Sequence, residues 1–569
     1  MTYTTPDPTV DPRLRRYVIP ARIVWQTEGG ATPQDPEALL QADDGQASLF
    51  PQRVCTLTHR GQAPGILLDF GRELQGGVQI TAIAATDTKP VRLRVRFGES
   101  VGEAMSDVDP AGIPGQSYLN DHAIRDQTTL LPAIGSTEIG NTGFRFVRLD
   151  LVDEGRAVDL SAVRAIAIYR DLPYLGAFAC NDERLDRIWQ TGAYTVHLNM
   201  QGYVWDGIKR DRLVWIGDMH PETRVISTVF GWQDVVPSSL DFVRDGTPLP
   251  GWMNGISSYS IWWLLIQHHW YLYHGDRAYL AQQRDYLLGL LAQLLERIGP
   301  DGTERLDGMR FLDWPTADND EARHAGLQAI MVLAMRAGAE LCDTLGETEM
   351  AERCRQGEHA LSQHQPKVGS TKQAAALLAL AGLKDAKTMN EQHLAVGGAR
   401  GMSTFYGYYM LQARAMAADH KGALDAIRAY WGAMLDLGAT TFWEDFDLAW
   451  VEGSAGIDEI VPPNKRDIHA DFGRYCYQGL RHSLCHGWAG GPTAWLSEHV
   501  LGIRPTAPGF ARVRIEPHLG DLAWAKGTFP TPRGLIRVAH RRLADGTIES
   551  EIDLPVGVER VAAGPSLPI

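Results

Sequence analysis

Twice along this chain the period of its hydrophobic pattern changes, and those two changes limit the possible folds more than any other feature. Up to about residue 175 the period is two. Val91-Arg92-Leu93-Arg94-Val95-Arg96-Phe97 alternates apolar and charged without a break. That is the pattern of a half-buried strand, because successive strand side chains point to opposite faces. Residues 65–70 and 78–83 read as strands on either side of turn material at 71–77, and 144–149 and 165–169 repeat the pattern. Short strands punctuated by Gly, Pro and Asp indicate an antiparallel sandwich. Near Asn181 the pattern turns helical. Asn181 can cap a helix, Asp182 and Glu183 suit its positive end, and Leu185, Ile188, Trp189 and Gly192 then share one face. Residues 257–273 are apolar nearly all round, which implies a buried helix. Further helices are expected over 276–297, 324–345, 347–363, 371–382, 403–418 and 420–436. Near residue 510 alternation returns, at 513–516, 534–538 and 548–554.

The chain therefore divides into three parts: an N-terminal antiparallel β-sandwich domain (1–176), a central all-α domain (177–502) and a small C-terminal antiparallel β-sandwich domain (503–569). Helices of this length and number, joined by short or medium loops, suit a closed array of hairpins, an (α/α)6 barrel. No internal sequence repeat marks it, so the inference rests on length and helix count.

Composition removes several classes of function. A net charge of −15 argues against nucleic acid or an acidic polymer as partner, since both need a basic face. No run of eighteen apolar residues suggests a membrane span. The first residues lack a basic segment followed by an apolar one, so the chain as written reads as cytoplasmic. Six cysteines without C-x-x-C spacing read as free, mostly buried thiols. Cys485-His486 and His268-His269 lack the spacing of zinc ligands, and neither a P-loop nor a dinucleotide fingerprint occurs. Neither a metal nor a cofactor is expected.

Fourteen of the sixteen tryptophans lie between Trp189 and Trp495, which suggests an aromatic-lined cavity in the middle domain. Within it, Asp206-Gly207-Ile208-Lys209-Arg210-Asp211-Arg212-Leu213-Val214-Trp215-Ile216-Gly217-Asp218 packs three acids, three bases and an indole into thirteen positions. Buried charge must be paired, so this stretch is either a structural ion-pair network or the wall of a polar, aromatic-floored pocket. Pro221 suits the first turn of a helix from 221 to about 230, so the stretch reads as a loop between two helices. Loops on one rim of a closed array converge on its central cavity. Three further segments could reach it. Gly438-Ala439-Thr440-Thr441-Phe442-Trp443-Glu444-Asp445 offers an indole followed by a carboxylate, and Ser483-Leu484-Cys485-His486-Gly487-Trp488 offers an imidazole. Phe311-Leu312-Asp313-Trp314-Pro315-Thr316 offers an indole that could stack on a sugar face. A helix-start acid for Glu444, a core histidine for His486 and a core indole for Trp314 are the structural alternatives. Glycoside hydrolysis needs two carboxylates on either side of the scissile bond, and the sequence supplies them far apart in the chain.

At these segments the sequence resembles the bacterial α-L-rhamnosidases of glycoside hydrolase family 78. The resemblance continues through Trp495-Leu496-Ser497, Leu501-Gly502-Ile503, Pro508-Gly509-Phe510 and Pro517-His518-Leu519-Gly520, with Phe97-Gly98-Glu99-Ser100 and the segment 143–149 in the β region. It implies an (α/α)6 barrel flanked by β-sandwiches, and an inverting hydrolase of L-rhamnose-containing glycosides that needs neither metal nor cofactor. By position in the motif Asp211 would be the general acid and Glu444 the general base. Asp206, Arg210 and Asp218 would hold the sugar hydroxyls, Trp215 and Trp314 its apolar side, and His486 the sugar or the base, with Trp443 in the pocket wall. Two departures stand out. The acid is Asp where many members carry Glu, and the loop reads Asp206-Gly207-Ile208-Lys209-Arg210 where many read Asp-Cys-Pro-x-Arg. A homodimer, a non-catalytic sugar-binding protein on the same scaffold, and another barrel enzyme such as a lyase are also compatible with the pattern.

Overall fold

The computed structural model describes Tyr3, Asp7 and residues 9–50, 53–107, 125–475 and 477–562. The N-terminal β region is one antiparallel sheet of eight strands. Its main path runs Leu14–Val18, Ala157–Tyr169, Gly65–Ala85, Gly135–Leu151, Val91–Gly98 and Asp126–Leu131; Arg22–Gln26 pairs with Gly65–Ala85, and Cys55–Thr58 with Ala157–Tyr169. Ile66, Leu68, Phe70, Leu74, Val78, Ile80 and Ala82, all on one face of the longest strand, share a core with Val91, Leu93, Val95 and Phe97 of its neighbour's partner. Residues 71–77 are not a turn, as the glycines suggested. The strand Gly65–Ala85 runs straight through them, with register shifts between Asp69 and Leu74 and between Gly76 and Val78. Gly76, at φ +142°, is a bulge glycine: a Cβ there would lie 1.9 Å from the carbonyl oxygen of Ile166.

Six helices of the middle region form a closed ring. Ile216–Val229, Ser257–His274, Asp320–Leu345, Lys372–Leu380, Gly407–Met416 and Gly491–Trp495 each pack on the next, and the last packs on the first. They are buried along most of their length, which is why 257–273 reads as apolar all round. Glu183–Asn199, Val235–Gly246, Thr348–Gln363 and His420–Asp436 lie against this ring from outside. Asp320–Leu345 is long and apolar enough to cross a membrane by length and composition, but it is buried inside the ring. Among the helices that escaped the sequence reading, two are disguised by proline and glycine. Val235–Gly246 carries Pro237 in its first turn, and Gly491–Trp495 carries Pro492 there, where a missing N–H costs nothing. The segment 276–297 breaks into Arg277–Gln282 and Arg284–Leu295. The helix expected from Pro221 begins earlier, at Ile216, so Pro221 is internal and Asp218 sits in the first turn.

The C-terminal β region has two sheets. Ile548–Asp553, Gly534–Arg542 and Trp524–Thr531 are joined by Ala177–Cys180, a strand contributed from just before the first long helix. Ile503–Pro505, Arg512–Ile515 and Glu559–Val561 make the second sheet. This region is not purely antiparallel: Glu559–Val561 returns from the other sheet and pairs parallel with Arg512–Ile515. Its core is continuous with that of the helices, for Tyr273 meets Phe510 edge-on at 5.5 Å between ring centroids.

Candidate active site

The loop between Glu183–Asn199 and Ile216–Val229 is pinned from two sides. Gly143 donates its N–H to the Ile208 carbonyl at 3.1 Å, and Gly487 donates to the Asp206 carbonyl at 2.8 Å. Gly207 and His486 pair as an isolated antiparallel bridge. Asp211 and Arg212, at φ +54° and +53°, both adopt the left-handed conformation that non-glycine residues avoid at a cost of roughly 1 kcal/mol or more each. The strained pair turns the chain so that Arg210 points inward and Asp211 stays at the mouth.

Asp206, Arg210, Asp211, Trp215, Asp218, Trp314, Glu444 and His486, far apart in sequence, line one cavity of about 440 Å³. This is within the range of small-molecule sites. Arg210 is its electrostatic centre. Its Nη2 donates to Glu444 Oε1, its Nη1 lies 3.0 Å from Asp211 Oδ2, and its Nε donates to the Arg481 carbonyl at 3.1 Å. One guanidinium thus lies between two carboxylates of different character. The Asp211 side chain keeps 28% exposure and that of Glu444 only 2%. Glu444 Oε2 also accepts from the Ser483 N–H at 3.1 Å. His486 Nε2 faces three acids at once: Glu444 at 3.4 Å, Asp206 at 3.7 Å and Asp218 at 3.8 Å. Asp206 Oδ1 accepts from the Leu213 N–H at 2.9 Å, and Tyr259 donates to Asp218 Oδ2 at 3.2 Å. Trp215 meets Tyr259 edge-on, while the Trp314 indole donates to Tyr477 Oη at 2.6 Å.

Burial dominates the proton affinities here. It lifts Asp206 well above the usual carboxylate range, with Asp211 and Asp218 adding repulsion. Asp218 is likewise raised by burial, against the Tyr259 hydrogen bond. Glu444 is raised by burial too, although Arg210 and the Ser483 N–H oppose it. The same loss of water, with Arg210 nearby, drives His486 well below its ordinary value, so the imidazole is neutral. One turn beyond Asp218, Glu222 is fully buried, with no hydrogen-bond partner for either carboxyl oxygen, and burial plus Asp218 and Asp206 raise it strongly. Its Oε1 presses on Gly487, where a Cβ would lie 1.4 Å away and would have to push the Glu222 side chain aside.

The family model for the bacterial α-L-rhamnosidase six-hairpin glycosidase domain matches residues 173–500. The bacterial α-L-rhamnosidase C-terminal domain matches residues 502–562. This chain belongs to the bacterial α-L-rhamnosidase family. Among curated rhamnosidases it is 23% identical to an α-L-rhamnosidase of Alteromonas sp. strain LOR, across 84% of this chain and 54% of that protein. It is 22% identical to one of Streptomyces avermitilis, across 92% and 51%. The chain thus spans about half the length of these relatives. Its fold is similar to that of a GH78-family rhamnosidase of Bacillus sp. GL1, with a TM-score of 0.73 at 21% identity over 92% of this chain and 56% of that one. It is also similar to a Klebsiella oxytoca rhamnosidase solved with rhamnose bound, with a TM-score of 0.66 at 22% identity over 86% and 96%. Both structures have a helical core with β-sheet regions at either end, as here.

Eight of the nine residues expected at the site line the rhamnosidase-family cavity. Trp443 does not. Its indole is buried behind the wall, edge-on to Phe446 at 5.6 Å and to His482 at 6.5 Å. Glu444 turns into the cavity, so its neighbour turns into the core. The sequence reading missed Asn254, Tyr259, Tyr477 and Arg481 in the lining. Tyr259 is hidden inside a helix that is buried nearly all round, and Tyr477 and Arg481 sit in an irregular segment without periodicity, so no local signal marks them. Lys209 belongs to the loop but not to the cavity. It turns the other way, to Glu99, Glu103 and His469, three groups near enough to bind a metal ion. They have other commitments. Lys209 Nζ lies 3.2 Å from both carboxylates, His469 Nδ1 is 2.7 Å from Ser100 Oγ, and its Nε2 is 2.7 Å from the His482 carbonyl. The carbonyl needs a proton on Nε2, so the Nδ1 lone pair is taken by Ser100. The described cysteines, Cys55, Cys180, Cys342, Cys354 and Cys485, are free and buried; Cys476 lies outside the described residues.

Proposed function

We propose that the protein is an exo-acting, inverting α-L-rhamnosidase built on an (α/α)6 barrel, the six-membered ring being the inner layer of six hairpins. The observation that carries this reading is the Asp211–Arg210–Glu444 bridge in an aromatic-lined cavity. In this mechanism Asp211, at the mouth, protonates the glycosidic oxygen as the bond to the anomeric carbon breaks. Glu444, at the floor, takes a proton from the water that attacks the opposite face. Inversion needs the two carboxyl groups roughly 6.5–9.5 Å apart with a water between. Arg210 also favours the ionised form of Glu444 against the pull of burial. Asp206 and Asp218, proton-rich through burial, can donate to as well as accept from sugar hydroxyls, and Trp215 and Trp314 cover the apolar side of the ring. A non-catalytic binding protein would have no need of two unlike carboxylates on one cation. The test is incubation with p-nitrophenyl α-L-rhamnopyranoside beside a panel of other aryl glycosides. Release from the rhamnoside with inversion at the anomeric carbon, read by NMR, is the expected result. Turnover of another sugar but not rhamnose would overturn the substrate, and retention would overturn the mechanism.

A further inference from the structure

The N-terminal β region places one buried carboxylate behind the cavity wall, between the two segments that carry its acid and base. Glu99 is fully buried at the end of the strand Val91–Gly98. On one side its Oε2 lies 3.2 Å from Lys209 Nζ, and Lys209 precedes Arg210. Lys209 also donates to the carbonyls of Leu480 at 2.8 Å and His482 at 2.6 Å. On its other side Glu99 accepts from the Leu484 N–H at 2.6 Å and from Ser483 Oγ at 3.3 Å. Ser483 and Glu444 exchange two hydrogen bonds: the Ser483 N–H donates to Glu444 Oε2 at 3.1 Å, and the Glu444 N–H donates to the Ser483 carbonyl at 3.0 Å. The loop bearing Arg210 and Asp211 and the segment orienting Glu444 therefore hang from the same carboxylate of another region.

We infer that Glu99 is a positioning residue for catalysis, fixing the spacing of Asp211 and Glu444 through Lys209 and through Ser483–Leu484. The inference rests on the rhamnosidase reading above. It assigns the N-terminal β region a part in turnover that its contacts with the cavity lining would not reveal, since Glu99 itself does not line the cavity. The titratable and charged groups around Glu99 are Lys209, Glu103, Glu73 and Cys485, with His469 and Arg125 behind Glu103; those around Glu444 are Arg210, His486, Asp211, Asp218 and Asp445.

The test is Glu99→Gln in the full chain, assayed on whichever aryl glycoside the wild type cleaves. Slackening of the Ser483–Leu484 segment would misplace the base by a fraction of an ångström, a displacement that can cost on the order of a hundredfold. The expected result is a kcat lower by about ten- to a hundredfold with KM within about threefold. The acidic limb of the kcat profile moves to higher pH, because Glu444 loses a donor that favours its ionised form. Asp150→Asn is the comparator: it breaks a buried pair of the same region, with Arg96 at 2.8 Å, and is expected to lower Tm while leaving kcat and the acidic limb in place. A Glu99→Gln variant that behaves like Asp150→Asn overturns the inference while leaving the rhamnosidase reading intact. A wild type that cleaves a different sugar overturns that reading alone, and one that cleaves none of the panel overturns both. Should Glu99→Gln fail to fold, Ser483→Ala carries the same test through the Glu99–Ser483 contact, with a kcat reduced about three- to tenfold and the same direction of pH shift; an unchanged profile overturns it.

Discussion

Lys209 and Arg210 are neighbours in sequence and reach into two different clusters of acids. In the Lys209 cluster the charges are matched. Glu99 and Glu103 share Lys209, Arg125 Nε approaches Glu103 at 3.3 Å, and the N–H groups of Leu484 and Glu99 complete the carboxylate shells. Against the burial that would raise it, Lys209 and Arg125 hold Glu103 down to about 2. In the Arg210 cluster the charges are not matched. Asp206, Asp211, Asp218 and Glu444 gather around Arg210, a neutral imidazole and a second buried guanidinium, Arg481, which lies 3.8 Å from Asp211. Both clusters are polar interior built from the same residue types. Their difference is that two carboxylates meet two cations in one, while four carboxyl groups meet two guanidiniums in the other. Low dielectric makes each arrangement emphatic: in the first, burial lifts Glu99 to about 7 beside the lowered Glu103, and in the second, burial lifts Asp206, Asp218 and Glu444 together.

The largest effect that could break this contrast is on turnover. Glu444→Gln and Asp211→Asn should each lower kcat by about 10²–10⁴-fold on the aryl rhamnoside while far-UV circular dichroism stays that of the wild type. Activity above a few per cent in either purified variant would remove that residue from the catalytic pair.

Arg210→Met comes next. It leaves Glu444 buried without its cation, so urea unfolding should show a loss of about 3–5 kcal/mol along with a steep fall in kcat. Arg210→Lys should not restore kcat, because an ammonium cannot offer two parallel donors to two carboxylates. Full rescue by lysine would mean that only charge, and not the fork, matters at the centre of the cavity.

The smallest expected effect concerns Glu222, under the unmatched cluster. Burial, and then Asp218 and Asp206, raise its folded-state pKa above the unfolded value. A carboxyl shifted upward contributes stability below its unfolded pKa of about 4.3, and that stability is lost as pH climbs towards the folded value. Glu222→Gln removes this loss, so its Tm relative to wild type should rise on the order of 2 °C between about pH 5 and 8. A difference independent of pH would place Glu222 among the matched acids.

Much of this was legible in the sequence where the signal is local. Alternation at 91–97 and the all-apolar run at 257–273 follow directly from which faces are buried, and Asp206, Arg210, Asp211 and Asp218 share one short loop. What was hidden depends on partners distant in the chain. Gly71 and Gly76 look like turn residues until the neighbouring strand shows that they are bulges. Pro237 and Pro492 look like breakers until the helix start is located. Trp443 and Glu444 alternate between core and cavity, and nothing in their order says which faces which. Lys209 shares the loop of the sugar-site candidates, and Glu99 and Glu103, more than a hundred positions earlier, draw it away.

The strand Ala177–Cys180 has a consequence for how the chain is made. It lies directly before the helical region, yet its partner Trp524–Thr531 is synthesised about 340 residues later. At roughly 5–20 residues per second a ribosome needs on the order of twenty seconds to a minute to deliver that partner. Throughout that interval the strand that begins the helical region is an unpaired edge, and the ring of helices is complete before its outer clasp can close. A strand translated only after the whole ring is therefore the part that fastens the beginning of the middle.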